Sequence, residues 1–205
     1  MSEQAELPFG PLDGDALHIC IDMQRVFLEP GPWYGEACLG VIAPQQRLIR
    51  HAPARSLFTR FITANTADEA TGSWQRYYRQ WHAVTQAEAG AGILDLHPEI
   101  LPLATDGNVF DKLTHDAFDS ATFCARIKRE APSALILSGI ETDVCVLATA
   151  MSAVDLGYRT VIATDGVASS MPASHTATIE HIYPRFDQQI ELANVETIVS
   201  CWSVP

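Results

Sequence analysis

Short apolar runs alternate with helical periodicity along most of the chain. Leu17-His18-Ile19-Cys20-Ile21 is a compact, near-continuous apolar strand that stops at Asp22. The pattern then predicts a helix over about 41–51 and a strand over about 57–63. Residues 64–108 are mixed, with loops around Gly72, Gly90 and Gly92. A strand over about 108–111 runs into Lys112, a helix covers about 120–130, and an apolar strand covers 134–137. That run breaks at Ser138-Gly139, a short polar turn follows, and a helix over about 143–156 stops at Gly157. A strand over 160–163, a helix near 173–183 and a last strand near 197–200 complete the chain. Strands that are apolar nearly throughout and bounded by helices predict a mostly parallel sheet covered on both faces.

Composition narrows the class. A chain of 205 residues, 47% hydrophobic and 19% charged, fits one globular domain over 1–205 that needs no metal or disulfide to fold. Thirteen basic against 25 acidic residues give a formal net charge of −12. A phosphate-backbone binder needs a clustered basic face, so nucleic acid is not an expected partner. The first residues carry Glu3 and Glu6 and no basic-then-apolar signal pattern, and no apolar run reaches membrane-spanning length. Five cysteines, Cys20, Cys38, Cys124, Cys145 and Cys201, form no C-x-x-C pair. Free thiols in a reducing cytoplasm are the expectation.

Candidate chemistry gathers where predicted strands end, because ligands of parallel sheets bind beyond the carboxyl ends of the strands. Thr142 or Asp143 can cap the helix that follows the fourth strand, which puts Cys145 in its first turn. Unpaired N–H groups and the helix dipole lower a thiol's pKa there. Val144, Leu147, Ala148, Met151 and Val154 form the expected buried stripe, and Cys145 read locally can equally be a small hydrophobe within it. Asp22 can be a loop carboxylate or an acid–base, and Lys112 a solvated lysine or a functional cation. Together, a nucleophile, a proton acceptor and a cation at one sheet edge make chemical sense.

The stretches "LHICIDMQRVF", "VFDKLTHDAF" and "LILSGIETDVCVLATAMSAVDLGYRTVIATDGVAS" resemble the isochorismatase-like cysteine hydrolase superfamily over most of the chain, in order. The resemblance implies a Rossmann-like three-layer α/β/α sandwich of about six strands, commonly a homodimer or homotetramer. It maps a catalytic aspartate to Asp22, a lysine to Lys112 and a nucleophilic cysteine to Cys145. It also implies a cis peptide between Ile140 and Glu141, with the backbone N–H groups of Glu141 and Cys145 forming an oxyanion hole. The implied chemistry is hydrolysis of a small amide, ureido or carbamoyl C–N bond through a thioester. Isochorismatases proper lack the cysteine and cleave a vinyl ether, so Cys145 argues against that reaction. Nicotinamidases of the family hold a metal through an Asp-x-His…His set after the second strand. Here "FTRFITANTADEATGSWQRYY" contains no histidine, and the seven histidines show no H-x-x-x-H spacing. No metal or cofactor is therefore expected.

Aromatic residues crowd two segments. Phe27, Trp33 and Tyr34 follow Asp22, and Trp74, Tyr77, Tyr78 and Trp81 follow the second strand. Phe27, Tyr34 and Trp74 are the expected pocket walls. Arg60 can bind a substrate carboxylate or sit in a surface ion pair. Two other readings remain open at this point: a binding protein of the same fold without turnover, and a redox-sensing thiol in which Cys20 or Cys124 resolves Cys145.

Overall fold

The computed structural model of the chain describes residues 6–204. Strands β1 (Leu17–Ile21), β2 (Ser56–Phe61), β3 (Val109–Lys112), β4 (Ala134–Ile140), β5 (Arg159–Ala168) and β6 (Ile190–Ala193) form one sheet. They pair in the order β3-β2-β1-β4-β5-β6, and every pairing is parallel. The connections carry helices α1 (Arg25–Leu28), α2 (Ile42–His51), α3 (Ser73–Gln80), α4 (Ala121–Glu130), α5 (Leu147–Asp155) and α6 (Pro172–Ala177), with α7 (Val195–Cys201) after the last strand. This is the α/β sandwich of about six strands that the family resemblance implies, with the parallel, helix-covered sheet that the apolar pattern predicts.

Strand alternation sorts the core into two layers. Leu17, Ile19 and Ile21 pack with Phe123 and Ile127 of α4 and with Val146, Ala150 and Ala153 on or beside α5. Cys20 turns to the opposite face, where Phe58 meets Ile42 and Ile49 of α2. Leu48 of α2 and Ile198 of α7 extend that face over Ile136 and Val161. His18 is the polar residue in this second layer. Its Nε2 lies 2.6 Å from Ser138 Oγ and its Nδ1 3.1 Å from Ser56 Oγ. Ser138 Oγ donates to Gln45 Oε1 at 2.6 Å, and Ser56 Oγ donates to the Ala52 carbonyl at 3.0 Å. Burial lowers the His18 pKa to about 3, so the ring is neutral.

Several expectations are corrected. Residues 197–200 are not a strand but lie in α7, and the sixth strand is Ile190–Ala193. The β-branched Thr197-Ile198-Val199 run favours a strand locally, yet Asn194 accepts from the Thr197 amide at 2.8 Å and caps a helix. Val195, Ile198 and Trp202 then fall on one buried face. The strand does not end at Ser138-Gly139: its register against β5 shifts between Leu137 and Gly139, but Gly139 pairs with Ile21 and β4 continues to Ile140. Gly139 has φ +111°, and a Cβ there would overlap the Ile21 carbonyl oxygen and lie 2.7 Å from the Ile21 nitrogen, so only glycine fits.

The helix after β4 begins with a wide, π-type turn over Thr142–Val146 rather than a side-chain-capped α-turn. Neither Thr142 nor Asp143 caps it. The Glu141 carbonyl accepts from the amides of both Val144 and Val146 at 3.1 Å, while Thr142 Oγ1 lies 2.9 Å from His175 Nδ1. This turn rotates the helix against the sheet. The fully buried stripe is Val146, Thr149, Ala150 and Ala153, whereas the expected Val144, Leu147, Ala148, Met151 and Val154 are only half-buried. Small residues on the inner stripe let the helix lie close to the strands.

Candidate active site

The direction of strand addition reverses between β1 and β4, which opens a crevice beyond their carboxyl ends. Because Ile21 pairs with Gly139, Asp22 and the Ile140–Glu141 peptide leave the sheet side by side; that peptide bond is cis. Asp22 leaves in the left-handed region, φ 52°, which aspartate tolerates better than most residues. Its amide donates to the Thr59 carbonyl at 3.2 Å, and the Thr59 hydroxyl donates to Asp22 Oδ1 at 2.7 Å. Gln24 fastens the same corner. Its Oε1 accepts from the Phe61 amide at 2.7 Å, and its Nε2 donates to the carbonyls of Phe61 at 3.1 Å and Leu94 at 2.6 Å.

Lys112 ends β3, two strands from Asp22 and so roughly 10 Å away at the backbone. Its extended side chain crosses the end of β2, with Nζ 5.0 Å from the centre of the Phe61 ring. Nζ then meets Asp22 Oδ2 at 2.7 Å, and neither side chain has any exposed surface. Nζ also donates to the carbonyls of Thr114 at 2.9 Å and His115 at 3.0 Å. An ammonium with three protons thus finds three oxygens. Burial alone would lower the Lys112 pKa, but Asp22 and Cys145 outweigh it and hold the group above its ordinary value.

Cys145 projects from the wide turn onto this pair. Its thiol is close enough to Asp22 and Lys112 to feel the charge of both, and Sγ lies 3.9 Å from His115 Nδ1. Burial, and then the negative charge of Asp22, push the thiol well above its ordinary pKa, and Lys112 offsets only part of that. The expected lowering of the thiol pKa by the helix start is therefore reversed: desolvation and a facing carboxylate exceed what a helix terminus offers. His115 is held below its ordinary pKa by burial and then by Lys112, and its ring packs 4.9 Å from Trp74. A neutral thiol, a carboxylate able to take its proton and a cation beside both are in mutual contact.

Above Cys145 opens a cavity of about 470 Å³. Phe27 and Tyr34, both expected as walls, line it together with Trp33, Phe61, Tyr77 and Trp81. Trp33 stacks on Phe27 at 5.6 Å. Trp74 does not line this cavity. It stands behind His115 and Phe61, facing a neighbouring hollow beside Tyr78, because α3 turns Tyr77 rather than Trp74 toward the thiol. Arg60 is also outside the cavity, held by Asp111 at 2.8 Å and Asp95 at 3.2 Å. Cys20, Cys38, Cys124 and Cys145 are free thiols. Cys20 packs on the opposite face of the sheet, and Cys124 Sγ donates to the Phe118 carbonyl at 2.9 Å.

Sequence reasoning missed Thr59, Gln24, His115 and the Glu141 side chain. Gln24 stands in the same strand-end motif as Asp22, and His115 is three residues beyond Lys112, so proximity could have flagged both. Thr59 carries no local signal, since its role exists only through the neighbouring strands β1 and β2. Among the described residues, no group of three or more His, Cys, Asp and Glu side chains is arranged to hold a metal ion. Nor is any helix long and apolar enough to cross a membrane.

The fold and this corner define the class first: a doubly wound parallel α/β protein with a buried Asp–Lys pair against a cysteine at its switch point. Residues 16–194 match the Isochorismatase domain model, and the chain belongs to that family. It is similar to an uncharacterized isochorismatase family protein, YecD, of Escherichia coli O157:H7, at 34% identity over 43% of this chain and 47% of that protein. The aligned part of the chain thus spans about half the length of this curated relative. Its fold is similar to the crystal structure of a cysteine hydrolase from Pseudomonas syringae pv. phaseolicola 1448A, with TM-score 0.78 and 21% identity over 98% of this chain and 97% of that one. It is also similar to N-carbamoylsarcosine amidase from Thermoplasma acidophilum, with TM-score 0.68 and 16% identity over 88% of this chain and 96% of that one.

Proposed function

We propose that this protein is a cysteine amidohydrolase that cleaves the C–N bond of a small amide, ureido or carbamoyl compound through a thioester. The observation that carries this reading is the buried contact of Cys145 with the Asp22–Lys112 ion pair at the floor of an open aromatic cavity. The fold it shares with a cysteine hydrolase and an amidase supports the same reaction class.

In this reading the thiol rests protonated, since burial and Asp22 disfavour its anion. A substrate carbonyl arriving above Sγ draws the thiolate forward as Asp22 takes the proton, and Lys112 faces the charge that moves between them. The S–C bond forms, and the carbonyl electron pair moves onto oxygen. The oxyanion is received by the N–H groups of Glu141 and Cys145, the pair that the family resemblance implies, while the amides of Val144 and Val146 are bonded to the Glu141 carbonyl. The C–N bond then breaks, and Asp22 returns its proton to the departing nitrogen. Water attacks the thioester as Asp22 takes a proton from it, and the C–S bond breaks. Carboxylic acid leaves, or carbamic acid from a ureido substrate, and the thiol is restored. Neither half needs a metal or an organic cofactor. Assembly into a homodimer or homotetramer, which the family resemblance implies, belongs to the same proposal.

The test is an ammonia-release screen over small amides and ureido compounds, with and without a chelator, on the parent and on Cys145→Ala. Turnover of at least one class that is indifferent to the chelator is expected, with a loss of about 10³-fold or more in Cys145→Ala. Full turnover in Cys145→Ala would sink the proposal.

A further inference from the structure

The cavity above Cys145 is unusual in its balance of charge. Among its described lining residues there is no lysine or arginine, and the one carboxylate is Glu141. The nearby cations are spent elsewhere. Lys112 lies beneath Cys145 with its protons taken by Asp22 and two carbonyls, and Arg60 is locked to Asp111 and Asp95. Glu141 is half-buried, and its Oε1 accepts from the Ser170 amide at 2.9 Å, which fixes the carboxylate at the cavity wall. The charge is felt nearby. Burial pushes the Tyr77 hydroxyl up to about 12, and Tyr78, Cys145 and Glu141 add to that.

The remaining wall is aromatic. Phe27, Trp33, Tyr34, Tyr77 and Trp81 surround the space, with Trp33 at its centre, 5.9 Å from Tyr77 and 6.4 Å from Trp81. Aromatic faces that hold no cation of their own, set beside a fixed carboxylate, are the chemistry that receives a positively charged group. The same wall gives a substrate carboxylate no donor cation and places a like charge against it.

Resting on the amidohydrolase reading, we infer that the substrate carries its scissile amide on an apolar body with a cationic outer end. Glu141 and the aromatic box around Trp33 select that charge and reject carboxylates. Glu141 thereby has two separate roles, one through its backbone amide at the oxyanion and one through its side chain at the far end of the substrate.

Three shape-matched para-substituted benzamides test this, bearing trimethylammonium, tert-butyl or carboxylate. Ammonia release gives kcat/KM on the intact protein, and titration of Cys145→Ala gives Kd without turnover. The expected order in both is trimethylammonium over tert-butyl by about tenfold, and tert-butyl over carboxylate by about tenfold or more. Glu141→Gln should shrink the trimethylammonium to tert-butyl ratio several-fold, and a ratio is insensitive to any general loss in that variant. Trp33→Leu should shrink it as well. Equal use of the carboxylate and tert-butyl compounds, a ratio unchanged in Glu141→Gln, or binding of none of the three would overturn the inference. Should the Kd order hold with no amide cleaved, the charge selection stands and the amidohydrolase reading fails. Cleavage without the charge order fails the inference alone.

Discussion

Replacing Lys112 with methionine preserves the length and most of the volume of the side chain but removes its charge. The Asp22 carboxylate would then remain fully buried with only the Thr59 proton, and the Thr114 and His115 carbonyls would lose their donor. Removing one partner of a buried ion pair costs about 3–5 kcal/mol, because the other charge stays desolvated. For a chain of this size each kcal/mol shifts the melting midpoint by about 2–4 °C, so the variant should melt about 6–20 °C lower. Asp22→Asn/Lys112→Met removes both charges while Asn keeps an acceptor for Thr59, and it should recover about 2 kcal/mol or more of the single-variant loss. The assay is urea unfolding of the four proteins of the cycle by tryptophan fluorescence, analysed at constant m. A Lys112→Met protein within about 1 kcal/mol of the parent, or a double variant that is simply additive, would refute the argument that this pair is desolvated and mutually dependent.

Two further outcomes follow from backbone and core. Gly139→Ala must place a Cβ against the Ile21 backbone at φ +111°, so it should lose about 3 kcal/mol or more, or fail to fold. A urea midpoint unchanged from the parent would contradict that close approach. His18 titrates near 3 when folded and near 6.5 when unfolded, so the unfolded chain binds the extra proton between those values. Its contribution is therefore complete above pH 6.5 and declines by about 1.4 kcal/mol per pH unit as the pH falls toward 3. His18→Gln, which can still bond Ser138, should remove that slope between pH 6 and pH 4 relative to the parent. Parallel stability curves for the two proteins would show that His18 is not held neutral.

What could be read along the chain was whatever one segment carries by itself. The runs of β1 and β4 are buried on both faces, so they are mostly apolar, and the end of β1 is visible as the first acid, Asp22 after Ile21. The 197–200 segment failed for the opposite reason. Its β-branched residues have a strand preference worth a few tenths of a kcal/mol, which the Asn194 cap and the burial of Ile198 and Trp202 exceed. The Ser138-Gly139 pair misled because a glycine ordinarily marks a turn, whereas here the missing Cβ is what lets β4 lie against Ile21. The direction of the Cys145 pKa shift was misjudged because a helix start is a local feature, while the desolvation and the carboxylate that reverse it come from other strands.

The candidate site is a property of strand order more than of any motif. Asp22, Lys112 and Cys145 each end or follow a strand, but a sheet offers six such ends, and most pairs of them lie too far apart to touch. Contact requires β1 beside β4, so that Asp22 and the Glu141–Cys145 turn emerge together, and β3 only two strands away from β1. Lysine is the residue that spans that gap. A side chain too short to cross the end of β2 would stop above Phe61, and arginine's planar fork would not place three donors on Asp22 and on the two carbonyls of its own loop. Thr59 is then explained by the same path. The strand that Lys112 must cross can offer Asp22 a hydroxyl at the crossing, and it occupies the carboxylate oxygen that the ammonium leaves open. The two carboxylate oxygens are thereby divided, Oδ1 to the Thr59 hydroxyl and Oδ2 to the Lys112 ammonium.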